Sequence, residues 1–253
     1  MNKKLLGVTI GVVAFVVIIV VLGVTFITRN VTIDTTSTLS LTDSEKAQII
    51  SESGIQLKAS ILSVDEEIVI KNIETRHPSL KVISVERKFP DTVCVNLTNR
   101  TPVYSIKMKD GTYAILDREL KVVNVVENLD DFDYITKVTG YELSGAQPGG
   151  VLDITYLKEI SDEAENLSFV NQRMATFIPS IEYSKVDNDI NNILLRTNTG
   201  VIFVIKEVPN SMGTFFNYAY TKYYNELTKR QRSTGYVYLT EDNVWTWSET
   251  FSI

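Results

Sequence analysis

The chain opens with an uninterrupted apolar run at positions 5–27, and behind it the pattern changes to short alternating segments. The 23 residues of the run carry no charge. At ~1.5 Å of rise per residue, a helix of this length covers the ~30 Å hydrocarbon core of a bilayer. Two lysines precede the run and Arg29 follows it, which favours a cytoplasmic N-terminus. We therefore predict a cytoplasmic tail at residues 1–4 and a transmembrane helix at residues 5–28.

A cleaved secretory signal is the alternative interpretation of this run. The apolar core of such a signal spans only ~7–15 residues and ends at a small-x-small cleavage site. The run is longer than that, and Gly23, Val24 and Thr25 match the cleavage pattern poorly. An uncleaved anchor is therefore favoured, with the rest of the chain outside the cytoplasm.

Two capping-box spacings predict two helices behind the run. Thr42 is followed three residues later by Glu45, and Ser63 is followed by Glu66 at the same distance. In each pair the two side chains can satisfy free backbone N–H groups of a first helical turn. Gly54 is suited to end the first of these helices.

Strand patterns flank the two predicted helices. Residues 31–39 are rich in Thr, Val and Ile, which predicts a strand before the first helix. After the second helix the period changes to two, which places Ile83, Val85 and Phe89 on one face of a strand. A turn at Pro90 leads into a second alternating strand. The order strand, helix, helix, strand, strand predicts a three-stranded sheet with both helices on one side.

The remainder of the chain is predicted to be mainly β-structure with packed helices. Asp110 and Gly111 between two apolar segments are a strong hairpin signal. Apolar residues at helical spacing predict amphipathic helices at residues 153–167 and 211–230. The last predicted strand covers residues 236–240.

Charge and the scarcity of reactive side chains argue against several classes of function. Residues 1–30 hold three bases and no acid, so the rest of the chain has a net charge of 22 − 31 = −9, which argues against nucleic-acid binding. Cys94 is the only cysteine, and no intramolecular disulfide is possible. The single histidine, His77, argues against histidine metal clusters and most catalytic triads. We predict no enzyme and no catalytic, cofactor-binding or metal-binding residues.

Three segments carry a family resemblance. The predicted hairpin reads Val-Glu-Arg-Lys-Phe-Pro-Asp-Thr-Val at 85–93, and Asn-Arg-Thr-Pro-Val follows at 99–103. A later strand reads Gly-Thr-Tyr-Ala-Ile-Leu-Asp at 111–117. These segments resemble the FtsQ/DivIB family of bacterial cell-division proteins, which has a POTRA domain. The chain departs from the family pattern at Asn99, where glutamate is usual, and at Glu119, where glycine is common.

The resemblance implies an α+β fold: a single N-terminal transmembrane helix, a POTRA domain (β-α-α-β-β) at residues 29–101 and a larger mixed antiparallel β domain with packed helices at residues 102–250. It also implies a non-enzymatic scaffold in the bacterial cell membrane, concentrated at the division septum. Such a scaffold binds the single-pass division proteins FtsL and DivIC (FtsB) and helps to regulate septal peptidoglycan synthesis.

The C-terminal region is predicted to be the partner surface. An edge strand offers unpaired backbone groups to which a partner segment can add as a further strand. The two tryptophans of the chain lie just behind the last predicted strand, and aromatic anchors are common at interface hot spots. The family resemblance implies the same region for the DivIC-type partner. The predicted partner-binding residues are Tyr236, Tyr238, Thr240, Glu241, Trp245 and Trp247.

Alternatives to these assignments stay open at the level of the sequence. The two tryptophans would instead complete the core if they point inward. Arg100 and Pro102 are predicted to fix the junction between the two domains. A membrane-anchored envelope enzyme is an alternative function, although no motif supplies its nucleophile and base. A POTRA-type interaction module unrelated to division is another.

Overall fold

The residues described by the computed structural model are 11–17, 25–154, 156–166, 174–186, 189–206, 212–240 and 244–251. The chain divides into two compact units, Met1–Arg100 and Thr101–Ile253. Residues 11–17 are helical and are called α1. The other parts of the predicted transmembrane helix before residue 25 lie outside the described residues. Residues 26–28, the end of that prediction, are not helical, and Ile27 forms a β-bridge with Ser60 instead. Within the described part of the chain, no helix has both the length and the apolarity needed to cross a bilayer.

The first unit is a three-stranded sheet with two helices. Its strand order is β1-β3-β2, where β1 is parallel and β2 antiparallel to β3. One apolar core joins the helices to the sheet, and Ile49, Ile73 and Val93 lie at its centre. The predicted order strand, helix, helix, strand, strand is confirmed. The elements are β1 (Asn30–Thr35), α2 (Asp43–Glu52), a 3-10 turn (Ile61–Ser63), α3 (Glu66–Arg76), β2 (Leu80–Lys88) and β3 (Thr92–Asn99).

One of the two predicted capping boxes is present. Glu45 N–H donates to Thr42 Oγ1 at 3.3 Å, and Thr42 N–H donates to Glu45 Oε2 at 2.7 Å, which completes the box of α2. The second prediction is wrong, because Asp65 caps α3 and accepts the Ile68 N–H at 3.2 Å. Ser63 lies in the preceding 3-10 turn. A carboxylate two residues further along therefore takes the capping position that the spacing assigns to Ser63.

A β-bulge in β2 corrects the predicted facing of its side chains. The register against β3 shifts between Val82 and Ser84, which interrupts the period of two. As a result, Val82 and Val85 are both buried, whereas Ile83 is 55% exposed. Phe89, also predicted to face inward, follows the strand and is exposed.

The second unit is built on a nine-stranded mixed sheet with the order β12-β11-β10-β9-β8-β7-β4-β5-β6. The pairs β4–β7, β7–β8 and β10–β11 are parallel, and the other neighbours are antiparallel. The strands are β4 (Tyr104–Met108), β5 (Tyr113–Leu116), β6 (Val122–Val126), β7 (Thr136–Leu143), β8 (Ser180–Val186), β9 (Asp189–Arg196), β10 (Ile202–Lys206), β11 (Tyr236–Leu239) and β12 (Trp245–Ser248). The helices are α4 (Leu157–Asn166), α5 (Met174–Phe177), α6 (Met212–Thr221), a π-helical turn (Lys222–Glu226) and α7 (Lys229–Arg232).

The main core of this unit joins the sheet to its helices. Leu157 and Ile160 of α4 and Phe216 of α6 are buried against strand residues such as Phe203. The predicted helix at 211–230 is interrupted by the π-helical turn, and α7 begins separately. Strands β7 and β12 do not appear in the sequence-based prediction. The α+β class with a small first unit and a large sheet is confirmed, whereas the domain boundaries at residues 101 and 102 stay a prediction.

Two tyrosines of the second unit are buried without charge. Tyr104 is fully enclosed, and its hydroxyl donates to Met174 Sδ at 3.2 Å. Burial raises the pKa of Tyr104 and of Tyr183 above the ordinary value of 10.0. Because the pKa of each phenol is higher in the folded than in the unfolded chain, folding favours the neutral phenol. The contribution of this preference to the free energy of unfolding is fully present below the unfolded pKa and is lost as pH rises through the folded pKa.

Alkaline pH should therefore unfold the second unit from about pH 10 upward. Tyr104→Phe keeps the ring but removes one titrating phenol, so the midpoint of alkaline unfolding should move to higher pH. The measurement is tryptophan fluorescence against pH, because both tryptophans lie in this unit. Tyr218→Phe, which removes an exposed phenol, is the matched control and should leave the midpoint unchanged. Equal midpoints for Tyr104→Phe and the unsubstituted chain would contradict the assignment.

Candidate functional site

Strand β12 is an edge strand of the nine-stranded sheet. This strand pairs antiparallel with β11, and among the described residues no strand pairs with its other side. The sequence-based prediction that the segment 236–240 forms the edge is wrong, because β11 lies between β10 and β12. The edge expected at β11 therefore lies one strand further along the chain.

The backbone of β12 presents hydrogen-bonding groups outward at alternate residues. Thr240 N–H donates to Val244 C=O at 3.0 Å where β11 and β12 meet. Hydrogen-bonded positions alternate in an antiparallel pair, so Thr246 turns its backbone groups toward β11. By the same alternation, Trp245 and Trp247 turn their backbone groups away from the sheet. These groups are available to an added strand.

The Trp247 side chain is part of the scaffold of the second unit. Its Nε1–H is shared between the carbonyl oxygens of Gln231 and Thr234, each at 3.0 Å. The ring lies over Gly235, where an added Cβ would be 2.9 Å from Trp247 Nε1. Gly235 also has a φ of +82°, which glycine adopts without strain. Trp247 thus holds β12 to the segment before β11.

The Trp245 side chain is half-buried beside an exposed tyrosine. Its ring meets Phe215 edge to face at 5.0 Å between centroids and stacks with Tyr218 at 6.4 Å. Phe215 is buried, whereas Tyr218 is exposed. Trp245 and Tyr218 therefore form an aromatic pair with one side in the core and one side open next to β12. Tyr218 is absent from the predicted partner-binding residues because it lies on α6, far from Trp245 in sequence.

Tyr236 and Tyr238 lie on the opposite face of the sheet. Both contact the ring of Phe251, at 5.7 Å and 5.0 Å between centroids. They belong to a small second apolar cluster, separate from the main core, with Leu194, Ile202 and Val204. The predicted partner residues thus divide between two faces of the sheet. The outer edge of β12 borders both faces.

Thr240 closes the connection between β11 and β12. Besides its backbone bond to Val244, its Oγ1 accepts the Val244 N–H at 3.2 Å. This side chain is used within the turn. Glu241, another predicted partner residue, lies outside the described residues.

Arg100 is a buried structural residue of the first unit. Its guanidinium pairs with the Glu74 carboxylate at 2.6 Å, and both side chains are almost completely enclosed. Arg100 Nε–H also donates to Leu80 C=O at 3.0 Å, while Glu74 Oε1 accepts the Val82 N–H at 3.0 Å. The pair therefore ties α3 and the start of β2 to the end of β3. Pro102, predicted with Arg100 to fix the domain junction, is half-buried at the beginning of the second unit.

Two comparisons place the chain among known proteins. Residues 29–100 match the family model described as the POTRA domain of FtsQ type. The chain is also similar to the cell division protein FtsQ of Corynebacterium glutamicum, with 32% identity over 124 residues. The chain is thus similar to proteins of the FtsQ type, over the POTRA domain and over these 124 residues. This similarity covers 49% of the chain and 54% of the relative, so the chain spans about half the length of the curated relative that it matches.

Asp117 and Gly140 have specific structural roles at strand connections of the second unit. Asp117 ends the Gly-x-Tyr-x-x-Leu-Asp segment, and its Oδ1 accepts the N–H groups of Glu119 and Lys121, both at 2.9 Å. Gly140 has a φ of +73°, and an added Cβ would lie 2.0 Å from the Tyr183 carbonyl oxygen. These residues shape the strand connections. Among the described residues, no group of three or more His, Cys, Asp or Glu is placed to hold a metal ion.

Proposed function

We propose that this protein is a membrane-anchored, non-enzymatic scaffold of the bacterial division septum. It binds single-pass division proteins of the FtsL and DivIC (FtsB) type and so helps to regulate septal peptidoglycan synthesis. The observation that carries the proposal is the sheet edge at β12, where backbone groups that point away from the sheet lie beside the half-buried Trp245. An extended partner segment would add to β12 as a tenth strand of the sheet.

The aromatic pair beside β12 supports this mode of binding. Backbone pairing supplies affinity, and side-chain pockets next to the added strand supply specificity. Trp245 and Tyr218 offer an amphipathic surface of the kind that is enriched at interface hot spots. Tyr236, Tyr238 and Phe251 offer a second apolar surface on the other face of the sheet. An added strand would place alternate side chains over each of these two surfaces.

The proposed membrane anchor rests on the first apolar run. In α1, Val12, Val13, Phe15, Val16 and Val17 are each more than half exposed. A helix that is apolar on all sides needs a lipid or protein environment. The positions 5–27 and their basic flanks favour lipid, with the residues that follow the run on the outer side.

The proposed role can be tested by localisation in dividing bacterial cells. A fluorescent fusion of the full chain should concentrate at midcell in cells that are constricting. A fusion that carries only residues 1–28 is the control, and it should label the membrane uniformly because it lacks both folded units. Uniform membrane labelling by the full chain would reject the septal role.

A further inference from the structure

A loop between the two helices of the first unit is paired with the segment through which the chain enters that unit. Thr28 N–H donates to Ala59 C=O at 2.8 Å, and Lys58 N–H donates to Thr28 C=O at 2.7 Å. The pairing extends over residues 26–28 on one side and residues 58–61 of the loop on the other. The loop therefore lies beside the first residues that follow the apolar run.

The turn between β2 and β3 lies next to the same segment. Arg29 N–H donates to Asp91 C=O at 2.8 Å. The rings of Phe26 and Phe89 meet edge to face at 5.5 Å between centroids. We call the surface formed by residues 26–30, 57–63 and 89–91 the N-terminal pole of the first unit.

Three large apolar side chains project from the N-terminal pole. Leu57 is 57% exposed, Leu62 is 65% exposed and Phe89 is 56% exposed. A single exposed apolar side chain is ordinary on a protein surface. Here two neighbouring loops both carry them, and both loops are hydrogen-bonded to the same short segment. Exposed basic residues, Lys58 and Arg29, accompany them.

The position of the pole along the chain indicates what covers it. Phe26 and Ile27, the last two residues of the apolar run, already belong to the pole, because Phe26 C=O accepts the Ile61 N–H and Ile27 bridges to Ser60. No linker therefore separates the run from the pole. If the run crosses a bilayer, the pole must therefore lie at the depth of the lipid headgroups. Apolar side chains with flanking Lys and Arg are the composition that suits this interface.

We propose that the N-terminal pole is a second membrane contact, in which Leu57, Leu62 and Phe89 insert into the outer headgroup layer. This inference rests on the proposed anchor at residues 5–27. Lys58 and Arg29 face lipid phosphates, and the nearby Asp91 carboxylate is occupied by the Thr92 hydroxyl at 3.0 Å. Contact at two loops in addition to the anchor fixes the tilt of the first unit above the membrane.

The test places a fluorophore at single positions of the full chain in liposomes. Cys94 is the only cysteine and is replaced by Ser, after which Leu62→Cys, Phe89→Cys or Ile83→Cys is labelled with the environment-sensitive dye NBD. Ile83 is the matched control, because it is equally exposed and lies five strand residues from the end of β2, roughly 16 Å from the pole. NBD at 62 and 89 should emit at shorter wavelength and lose about half of its emission to doxyl-labelled lipid, since interfacial side chains reach ~5–10 Å into the boundary. NBD at 83 should show neither effect.

The same samples separate failure of the pole from failure of the anchor. Flotation of the chain with the liposomes reports on the anchor. A chain that floats while NBD at 62 and 89 behaves like NBD at 83 overturns the membrane contact and leaves the anchor standing. A chain that does not float overturns both. Replacing Leu57 and Leu62 by Ser in the Phe89→Cys background should abolish most of the quenching, and unchanged quenching would show that these side chains do not carry the contact.

Discussion

Trp245→Pro is expected to weaken binding of the FtsL/DivIC-type partner by roughly 2–4 kcal/mol, the range of an interface hot spot. The substitution removes both the ring beside Tyr218 and one outward N–H of β12. Proline is tolerated in an edge strand when its missing N–H would face away from the sheet. The second unit should therefore stay folded. The measurement is a binding titration of the partner complex against the full chain in lipid nanodiscs.

Two further substitutions separate the contributions of side chain and backbone. Trp245→Ala removes the ring but keeps the N–H, so it should bind more tightly than Trp245→Pro. Thr246→Pro removes a bond to β11 and should instead destabilise the β11–β12 pair, visible in tryptophan fluorescence. Equal binding by Trp245→Ala and Trp245→Pro would rule out strand addition at this edge.

The side-chain part of the interface has its own matched control. Tyr218→Ala removes the exposed partner of Trp245 and should weaken binding, whereas Tyr224→Ala should not. Tyr224 is also exposed, but its ring contacts Tyr220 at 4.4 Å between centroids and stacks with Phe177. Equal losses for the two variants would show that the aromatic pair is not a local hot spot.

Arg100→Met should destabilise the first unit by roughly 3–5 kcal/mol, because it leaves the Glu74 carboxylate buried without its guanidinium partner. The single cysteine provides the measurement, since Cys94 is completely buried within this unit. Its reaction with a thiol reagent reports opening of the first unit, while the tryptophans report the second. Cys94 should become reactive at lower urea concentration in Arg100→Met, with little change in tryptophan fluorescence.

The control for this prediction is an arginine at the surface of the same unit. Arg87 is exposed and donates to the Val64 carbonyl at 2.6 Å, so Arg87→Met should cost less than about 1 kcal/mol. Combining Arg100→Met with Glu74→Gln removes the buried carboxylate charge and should recover part of the stability that Arg100→Met loses. Similar Cys94 reactivity in Arg100→Met and Arg87→Met would contradict a structural role for the buried pair.

Local signals predict most of the first unit. The capping box at Thr42 and the alternation in β3 depend on residues only a few positions apart. The predictions for the first unit are wrong at two places: where two residues compete to cap one helix, and where the pairing of two strands changes which side chains face the core. Asp65 displaces Ser63 as a cap, and the bulge between Val82 and Ser84 becomes visible only when β2 pairs with β3.

The candidate site is predicted less completely than the fold of the first unit. Tyr236, Tyr238, Trp245 and Trp247 all lie on the last two strands, as the C-terminal location of the site requires. The four residues of β12 alternate between tryptophan and a small polar residue, but an alternating segment of four residues is too short to predict a strand rather than a loop. The role of Tyr218 depends on packing between α6 and β12, which no spacing in the sequence reveals.

The sequence by itself determined the apolar run, the element order of the first unit and the resemblance to the FtsQ/DivIB family, because composition, caps and short periods act between near neighbours. Only the tertiary structure decided that β12 rather than β11 lies at the margin, that Arg100 is enclosed with Glu74, and that two loops meet at the N-terminal pole. The order of strands in a sheet and the pairing of distant loops depend on contacts between residues far apart in the chain. Such contacts are chosen by how the whole unit buries its apolar surface and satisfies its backbone groups.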